Sequence, residues 1–574
     1  MSEVDKKDWV TVNVDGRDVS VPPGLTMIEA AEMAGKEVPH YCYHPKLSVS
    51  GNCRMCLVEM GMPMKDRGSG EPILDEDGKQ KIGWMPKPAI ACNSKVAPGL
   101  HIKTDSELVK DCRNGVMEFL LVNHPLDCPI CDQAGECRLQ EFATEYGRGY
   151  SRFIEKKNVK PKRTVLGPRV MLDDERCILC SRCIRFMKEV ADDDVLGFID
   201  RGSYSTLTCY PSRILDSNYS LNTVDICPVG ALTSRDFRFK MRVWFLKPVQ
   251  SICTESSVGA NTEVWQREGK IYRITPRRND EVNDTWMTDS GRSLYKEVEA
   301  ENRLLKGKTR GREITVMESL RESAKILSQA NKVALVVSTR SSVEEMWSLR
   351  KLADHVGADI HAVRHWGEED ELLLSADRTP NTRGALVTGL LSNVPGEDLS
   401  SLAQSIDRGE VDTLVCVHED LSQHGLSTGQ LEKVNLIYFG THHHESLASA
   451  KVQVPTLTVF EKSGTFINQQ FRLQKFNSVI PGPEGVLSDL QSFTTLRALL
   501  KEEDIVVTQP TLQWKELSVE ISELEGIDYG KIPDLGVPLS PAKWLDLPFP
   551  EEKTLKFDAK TFGQKTLSAL ETAG

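Results

Sequence analysis

Apolar and polar residues alternate through WVTVNVDGRDVSV (9–21), broken only at Asp15-Gly16. A period of two on both sides of Asp-Gly predicts a tight hairpin. Over residues 25–35 the period changes, with Leu25, Ile28, Ala31 and Met33 among the apolar positions of a predicted helix. LHIKT (100–104) is a further apolar–polar segment that would close a small sheet around that helix. In SELVKDCRNGVMEFLLV (106–122), Leu108, Cys112, Val116 and Phe119 recur at helical spacing, which predicts Cys112 as a buried apolar side chain. His124-Pro125 ends that helix. Past about residue 245 strands and helices alternate: KVALVVS (332–338), a helix over 343–355, DTLVCV (412–417), NLIYFG (435–440) and VPTLTVF (454–460). The alternation predicts an α/β layer structure on a parallel sheet. The last 60 or so residues, with Pro533, Pro538, Pro541, Pro548 and Pro550, predict an extended tail that wraps a partner or a neighbouring domain.

Composition adds compartment and partners. No stretch approaches the roughly 18 apolar residues that span a bilayer, and the start, MSEVDKKDWV, carries acids where a signal peptide would be basic and then apolar. A soluble, cytoplasmic chain without a direct membrane span is therefore expected. Residues 1–250 hold 35 Lys/Arg and 35 Asp/Glu, so the whole net charge of -12 falls in 251–574. That balance excludes the basic excess of a nucleic-acid binder. The basic run Lys156, Lys157, Lys160, Lys162, Arg163 and Arg169 has no interleaved aromatics and reads as a solvated linker or subunit contact.

Fourteen of the 15 cysteines fall in the first 253 residues, leaving Cys416 alone, in a predicted strand. In a reducing compartment such spacing points to metal ligands rather than disulfides. Three sets have the form of iron–sulfur ligands, with close C-x2-C pairs and one distant partner. The first is Cys42, Cys53, Cys56 and Cys92, with Gly51 placed so that backbone amides can turn toward sulfur; it suits a 2Fe-2S site, and structural zinc is its rival on spacing. The second is Cys128, Cys131 and Cys137, with His124 as the outlying candidate; on spacing alone that histidine reads equally as a helix-end or packed side chain. The third is Cys177, Cys180, Cys183 and, far on, Cys227-Pro228, the ferredoxin pattern, and with Cys209 spare it predicts one 4Fe-4S cluster.

Whole phrases carry a resemblance: PAIACNSKVAPGLHIKT (88–104), LLVNHPLDCPICDQAGECRLQ (120–140), RCILCSRCIRF (176–186) and DICPVGALT (225–233). They resemble the largest iron–sulfur subunit of bacterial NADH-quinone oxidoreductase, respiratory complex I, in matching order through residues 1–245. The resemblance implies His124 as a ligand, since HPLDCPICD is where the family places a 4Fe-4S cluster held by one histidine and three cysteines. Beyond 245, SIC (251–253), KIYRITPRRNDEVNDTWMTDSGR (270–292) and EKSGTFINQQFRLQ (461–474) resemble the family's molybdopterin-oxidoreductase-like domain, which as a rule lacks its pterin. Some members bind a further 4Fe-4S cluster at C-x2-C-x3-C-x27-C. Counting from Cys253 lands on Ser256, Ala260 and Thr288, so this extra cluster is expected to be absent and Cys253 a remnant.

The implied organisation is multidomain, α+β and α/β. Residues 1–104 form a β-grasp 2Fe-2S ferredoxin-like domain, 105–150 a helical 4Fe-4S segment, 165–245 a 4Fe-4S ferredoxin-like domain, 246–510 the molybdopterin-oxidoreductase-like domain and 511–574 the tail. One 2Fe-2S and two 4Fe-4S clusters are expected, without molybdopterin, flavin or nucleotide. No G-x-G-x-x-G follows the strand at 332–338 and no P-loop occurs. His442, His443, His444 and Glu445 follow a strand directly and read as a polar loop. The resemblance implies an electron relay with no catalytic residues of its own, on the cytoplasmic side of the inner membrane. Its implied partners are an NADH/FMN-binding subunit and other peripheral-arm subunits, including a ferredoxin-like subunit nearer the membrane and the quinone. The alternatives are the relay subunit of a soluble NAD-linked hydrogenase or formate dehydrogenase and, in another class, a zinc-stabilised assembly scaffold.

Overall fold

The computed structural model describes residues 8–66 and 68–549, in two compact units that divide between Phe245 and Leu246. The first unit opens on the expected hairpin: Val10–Val14 pairs antiparallel with Arg17–Val21. Asp15 and Gly16 form its two-residue turn, both left-handed at φ 50° and 87°. Helix Met27–Met33 starts from a capping box in which Thr26 and Glu29 satisfy each other's backbone, and it buries Met27, Ile28, Ala30 and Ala31. His101–Lys103 runs parallel to the first strand and antiparallel to Leu57–Pro63, closing the sheet as the pattern predicts.

Helix Glu107–Leu121 forms where expected but turns a different face inward. Its buried residues are Val109, Arg113 and Met117, while Leu108 and Phe119 are exposed and Cys112 only half-buried. Two contacts select this face. The Arg113 guanidinium donates to the Leu57 carbonyl (3.3 Å) and lies over the Tyr146 ring, while Met117 sulfur accepts from the Tyr41 hydroxyl (3.3 Å). The basic run is likewise not simply solvated. Lys157 donates to the Leu121 and Val122 carbonyls (2.8 and 3.0 Å), capping that helix's C-terminus, and Lys162 pairs with Asp127 and Glu175 (2.5 and 2.6 Å). The rest of the unit holds a small sheet of Thr164–Val165, Val170–Leu172 and Leu232–Ser234, helix Arg182–Glu189, and the hairpin Leu196–Ile199 with Thr206–Cys209. Cys209 ends that hairpin, its thiol donating to the Leu166 carbonyl, as a packing cysteine should.

The second unit is built on a seven-stranded sheet. Val333–Val337 lies between Asp359–Ala362 and Thr413–Val417, followed outward by Asn435–Gly440 and Val452–Pro455, all parallel as the alternation predicts. Gly307–Thr309 and Arg312–Ile314 extend it antiparallel. The last parallel strand starts and stops earlier than the apolar run 454–460, because Thr456 to Phe460 leave the sheet for a buried loop. Residues 511–549 differ from the expected extended tail. Helix Pro510–Glu520 and Val537–Pro538, which joins a three-stranded sheet, place Trp514, Leu517, Leu524, Tyr529 and Phe549 in a core with Trp347 and Leu473. A run of buried apolar residues outweighs the prolines, which end elements rather than extend the chain. Residues 550–574 lie outside the described residues.

Candidate metal centres

Each sulfur set converges. In the first, the Cys53 and Cys92 thiols both hydrogen-bond that of Cys42, and the Cys56 thiol bonds that of Cys92. Cys42, Cys56 and Cys92 are fully buried. Gly51 and Arg54 are left-handed, φ 62° and 61°, and turn the Asn52 and Cys53 amides toward Cys42 sulfur. Thiol hydrogen bonds, first from Cys53 and then from Cys92, hold Cys42 well below the usual thiol range, so this pocket favours a thiolate.

Cys177, Cys180, Cys183 and Cys227 of the third set line one cavity of about 340 Å³, closed by Ile178, Leu207, Val229 and Leu232. Burial pushes all four thiols up, Cys180 to about 11. Left-handed Leu179 and Ser181 (φ 54° and 62°) wind the C-x2-C-x2-C run so that its sulfurs share the cavity.

In the second set Cys128, Cys131 and Cys137 are close enough to raise one another's thiol pKa, although burial is the larger cause for Cys131 and Cys137. His124 follows the end of helix Glu107–Leu121. Burial, aided by Arg176 and Lys157, pushes its imidazole down to about 4, so the ring is neutral at pH 7. Its Nδ1 is buried without a hydrogen-bond partner. A neutral buried ring nitrogen lacking a partner beside three thiols is a donor set that fits a metal cluster.

The sets also touch one another, through residues the sequence pattern does not single out. Arg185 donates to the Cys42 carbonyl (2.5 Å) and the Cys180 carbonyl (3.4 Å), joining the first set to the third. Arg182 reaches the Tyr43 carbonyl and the Ile226 carbonyl (3.2 Å), and Asn52 donates to the Leu179 carbonyl (3.0 Å). Between the first and second sets lies Tyr41, fully buried, whose phenol is pushed up mainly by burial and then by Cys137 and Cys53. The second and third meet where Gly230, three residues past Cys227, presses on Cys131: a Cβ there would lie 2.2 Å from the sulfur. The only signal for these residues in the chain is their place inside the cysteine-rich phrases.

At the fourth, incomplete position, Cys253 is buried and its thiol pushed up to about 12, chiefly by burial. The Thr288 hydroxyl donates to the Glu255 carboxylate, which pairs with Arg378 (3.5 Å). A Cβ on Gly291 would meet Cys253 sulfur at 2.7 Å and Thr288 oxygen at 2.8 Å, so a polar network packs this spot. Of the histidine run, His442 is held by Thr441 and the Glu297 carbonyl, and His444 by Ser446 and Asp420, as a polar loop.

Comparison with known proteins agrees with the domain order. Residues 7–107 match a 2Fe-2S iron-sulfur cluster binding domain, and 113–152 the NADH-ubiquinone oxidoreductase-G iron-sulfur binding region. Residues 167–233 match the NADH-quinone oxidoreductase subunit 3 ferredoxin-like domain, and 246–296 the NADH-ubiquinone oxidoreductase NDSU1/NuoG-like 4Fe-4S domain. The NuoG-type NADH-quinone oxidoreductase subunit of Rickettsia conorii is 40% identical over 364 residues, 62% of this chain and 50% of the relative. The mitochondrial NADH dehydrogenase [ubiquinone] iron-sulfur protein 1 of Solanum tuberosum is 39% identical over 360 residues, 62% and 46% of the two chains. The chain thus spans about half the length of the curated relatives it matches. A chain from a crystal structure of NAD+-reducing [NiFe]-hydrogenase in the H2-reduced state is 28% identical, covering 41% of this chain and 91% of that one, with a TM-score of 0.33. Residues 7–296 carry the iron–sulfur domains of the NuoG-type subunit of NADH-quinone oxidoreductase, and the chain is a homologue of that subunit.

Proposed function

We propose that the chain is an electron-relay iron–sulfur subunit of NADH-quinone oxidoreductase, taking electrons that originate at NADH in a flavin-bearing subunit and passing them toward quinone through a ferredoxin-like partner nearer the membrane. The observation that carries this reading is the contact between the three ligand sets through Arg185, Tyr41 and Gly230. Isolated structural metal sites need no such contiguity.

Cys42, Cys53, Cys56 and Cys92 would hold a 2Fe-2S cluster; His124, Cys128, Cys131 and Cys137 one 4Fe-4S cluster; Cys177, Cys180, Cys183 and Cys227 another. Bound clusters would supply one-electron carriers, the chemistry that no side chain of this chain offers. The protein's own part is to bury the sulfurs from water and to place charge. Arg182 lies beside Cys180 and Cys227, and Arg176 beside Cys131, so each guanidinium offsets the negative charge of its thiolate set. No general acid, base or nucleophile is assigned. With one sulfur at its fourth position, the 246–296 domain is read as holding no further cluster, on a β-grasp, ferredoxin-like and molybdopterin-oxidoreductase-like domain sequence. The exposed apolar side chains of Phe119, Leu126 and Ile154 suit docking of the peripheral-arm partners, and the location that follows is the cytoplasmic side of the inner membrane.

Iron and acid-labile sulfide counted per chain test the reading. About ten irons are expected from one 2Fe-2S and two 4Fe-4S clusters, with EPR signals after dithionite reduction. A colourless, EPR-silent, zinc-rich protein would instead establish a zinc scaffold.

A further inference from the structure

Three side chains of the second unit, far apart in sequence and unrelated to the cysteine sets, aim at one point. His365 Nε2 lies 2.8 Å from Glu419 Oε2, and His424 Nε2 lies 3.7 Å from the same oxygen. All three donor atoms fall within 4.8 Å of one another. The two imidazoles meet edge to face, ring centroids 5.1 Å apart.

Glu419 is 2% exposed, and its other carboxylate oxygen, Oε1, is buried without a hydrogen-bond partner. Among the described residues its ion-pairing partners are the two imidazoles. Burying a carboxylate against two nominally neutral rings, with one oxygen left unpaired, is costly unless a cation completes the site. His424 Nε2, at 3.7 Å, is too far for a hydrogen bond yet close enough to share an ion with that oxygen.

The location is one where open α/β sheets bind ligands. In chain order the five parallel strands run second, first, third, fourth, fifth across the sheet, so the order reverses between Val333–Val337 and Thr413–Val417. Glu419 follows the end of Thr413–Val417, after left-handed His418 (φ 59°), and His424 ends the short helical turn Leu421–His424. His365 comes three residues after Asp359–Ala362. All three therefore stand outside the carboxyl ends of strands at this switch point. The Glu419 backbone is anchored by the Cys416 thiol, which donates to its carbonyl (3.2 Å).

We propose that His365, Glu419 and His424 bind one divalent transition-metal ion of the zinc class, leaving a fourth position open to water. Two imidazoles and a carboxylate suit a borderline ion rather than magnesium or calcium. Bonds of about 2.0–2.1 Å would separate the donors by roughly 3.3 Å, so side-chain shifts below about 1 Å convert the observed arrangement into the bound one. The ion would tie the loops after two separate strands together.

The test uses the full chain with its clusters assembled anaerobically, washed with chelator and titrated with zinc chloride. Bound zinc and iron are counted by mass spectrometry, and the zinc K-edge absorption spectrum is recorded. One zinc per chain beyond the iron is expected, with a nitrogen and oxygen shell at about 2.0–2.1 Å and imidazole scattering. Affinity should fall about a hundredfold in His424→Ala and in His365→Ala, with iron unchanged. Wild-type protein that retains no zinc at micromolar free metal, a shell containing sulfur, or equal affinity in both histidine variants overturns the proposal. If a variant also loses iron, the wild-type shell decides by itself.

Discussion

At His124 a buried, neutral imidazole stands where the other two sets have a fourth thiol. Its charge predicts the behaviour of two variants. His124→Ala should remove one 4Fe-4S EPR signal and leave the other two cluster signals in place. His124→Cys should restore the cluster at a lower reduction potential, because a thiolate adds negative charge where an imidazole adds none; redox-titrated EPR reads both. Arg185 offers a second residue-level test. Arg185→Met leaves the Cys42 and Cys180 carbonyls without their shared donor, and should lower the unfolding free energy by about 1–3 kcal/mol in denaturant melts.

Two elements carry predictions of their own. The turn after Cys227 brings Gly230 against Cys131, where a Cβ would lie 2.2 Å from sulfur and 3.1 Å from Gln133 Cβ. Gly230→Ala must therefore push the second set apart, and iron per chain should fall by about four while the 2Fe-2S signal persists. In the second unit, helix Val343–Val356 buries Glu344 against strand Gly464–Ile467, where its carboxylate accepts from Thr465 N and Oγ1 (both 3.0 Å). Burial raises that carboxyl from the ordinary 4.5 to about 7. The folded state then holds the proton more tightly than the unfolded chain. This stabilising contribution is complete below about pH 4.5 and is lost as pH rises through about 7, up to roughly 3 kcal/mol. Urea midpoints at pH 5 and pH 8 should show that slope in the wild type and a flatter one in Glu344→Gln.

For the whole molecule, the division at Phe245 and Leu246 separates all twelve candidate ligands from the parallel-sheet unit. A chain ending at residue 245 should keep the same iron, about ten per chain, and the same EPR signals. Loss of iron from that shortened chain would show that the sulfur sets depend on the second unit. The acidic excess of residues 251–574 gives the second unit a surface unlike that of the first, whose charges balance.

Local order was legible without coordinates. The hairpin at Asp15-Gly16, the capped helix after it, the parallel strands and the three cysteine runs each depend on residues a few positions apart, where periodicity, turn chemistry and ligand spacing act directly. Which face of helix Glu107–Leu121 turns inward was not legible, because Arg113 finds its partners at Leu57 and Tyr146, far along the chain. The folded state of residues 511–549 was hidden for the same reason: prolines are visible locally, whereas the core that holds Trp514 and Phe549 is assembled from Trp347 and Leu473. His365, Glu419 and His424 span 60 positions without a motif, and only the strand order of the sheet brings them together. The sequence by itself determined what each sulfur set can bind, since that is a matter of donor atoms and short loops. Tertiary structure decided that the sets touch, through Arg185, Tyr41 and Gly230, because contacts across long separations follow from packing rather than from spacing.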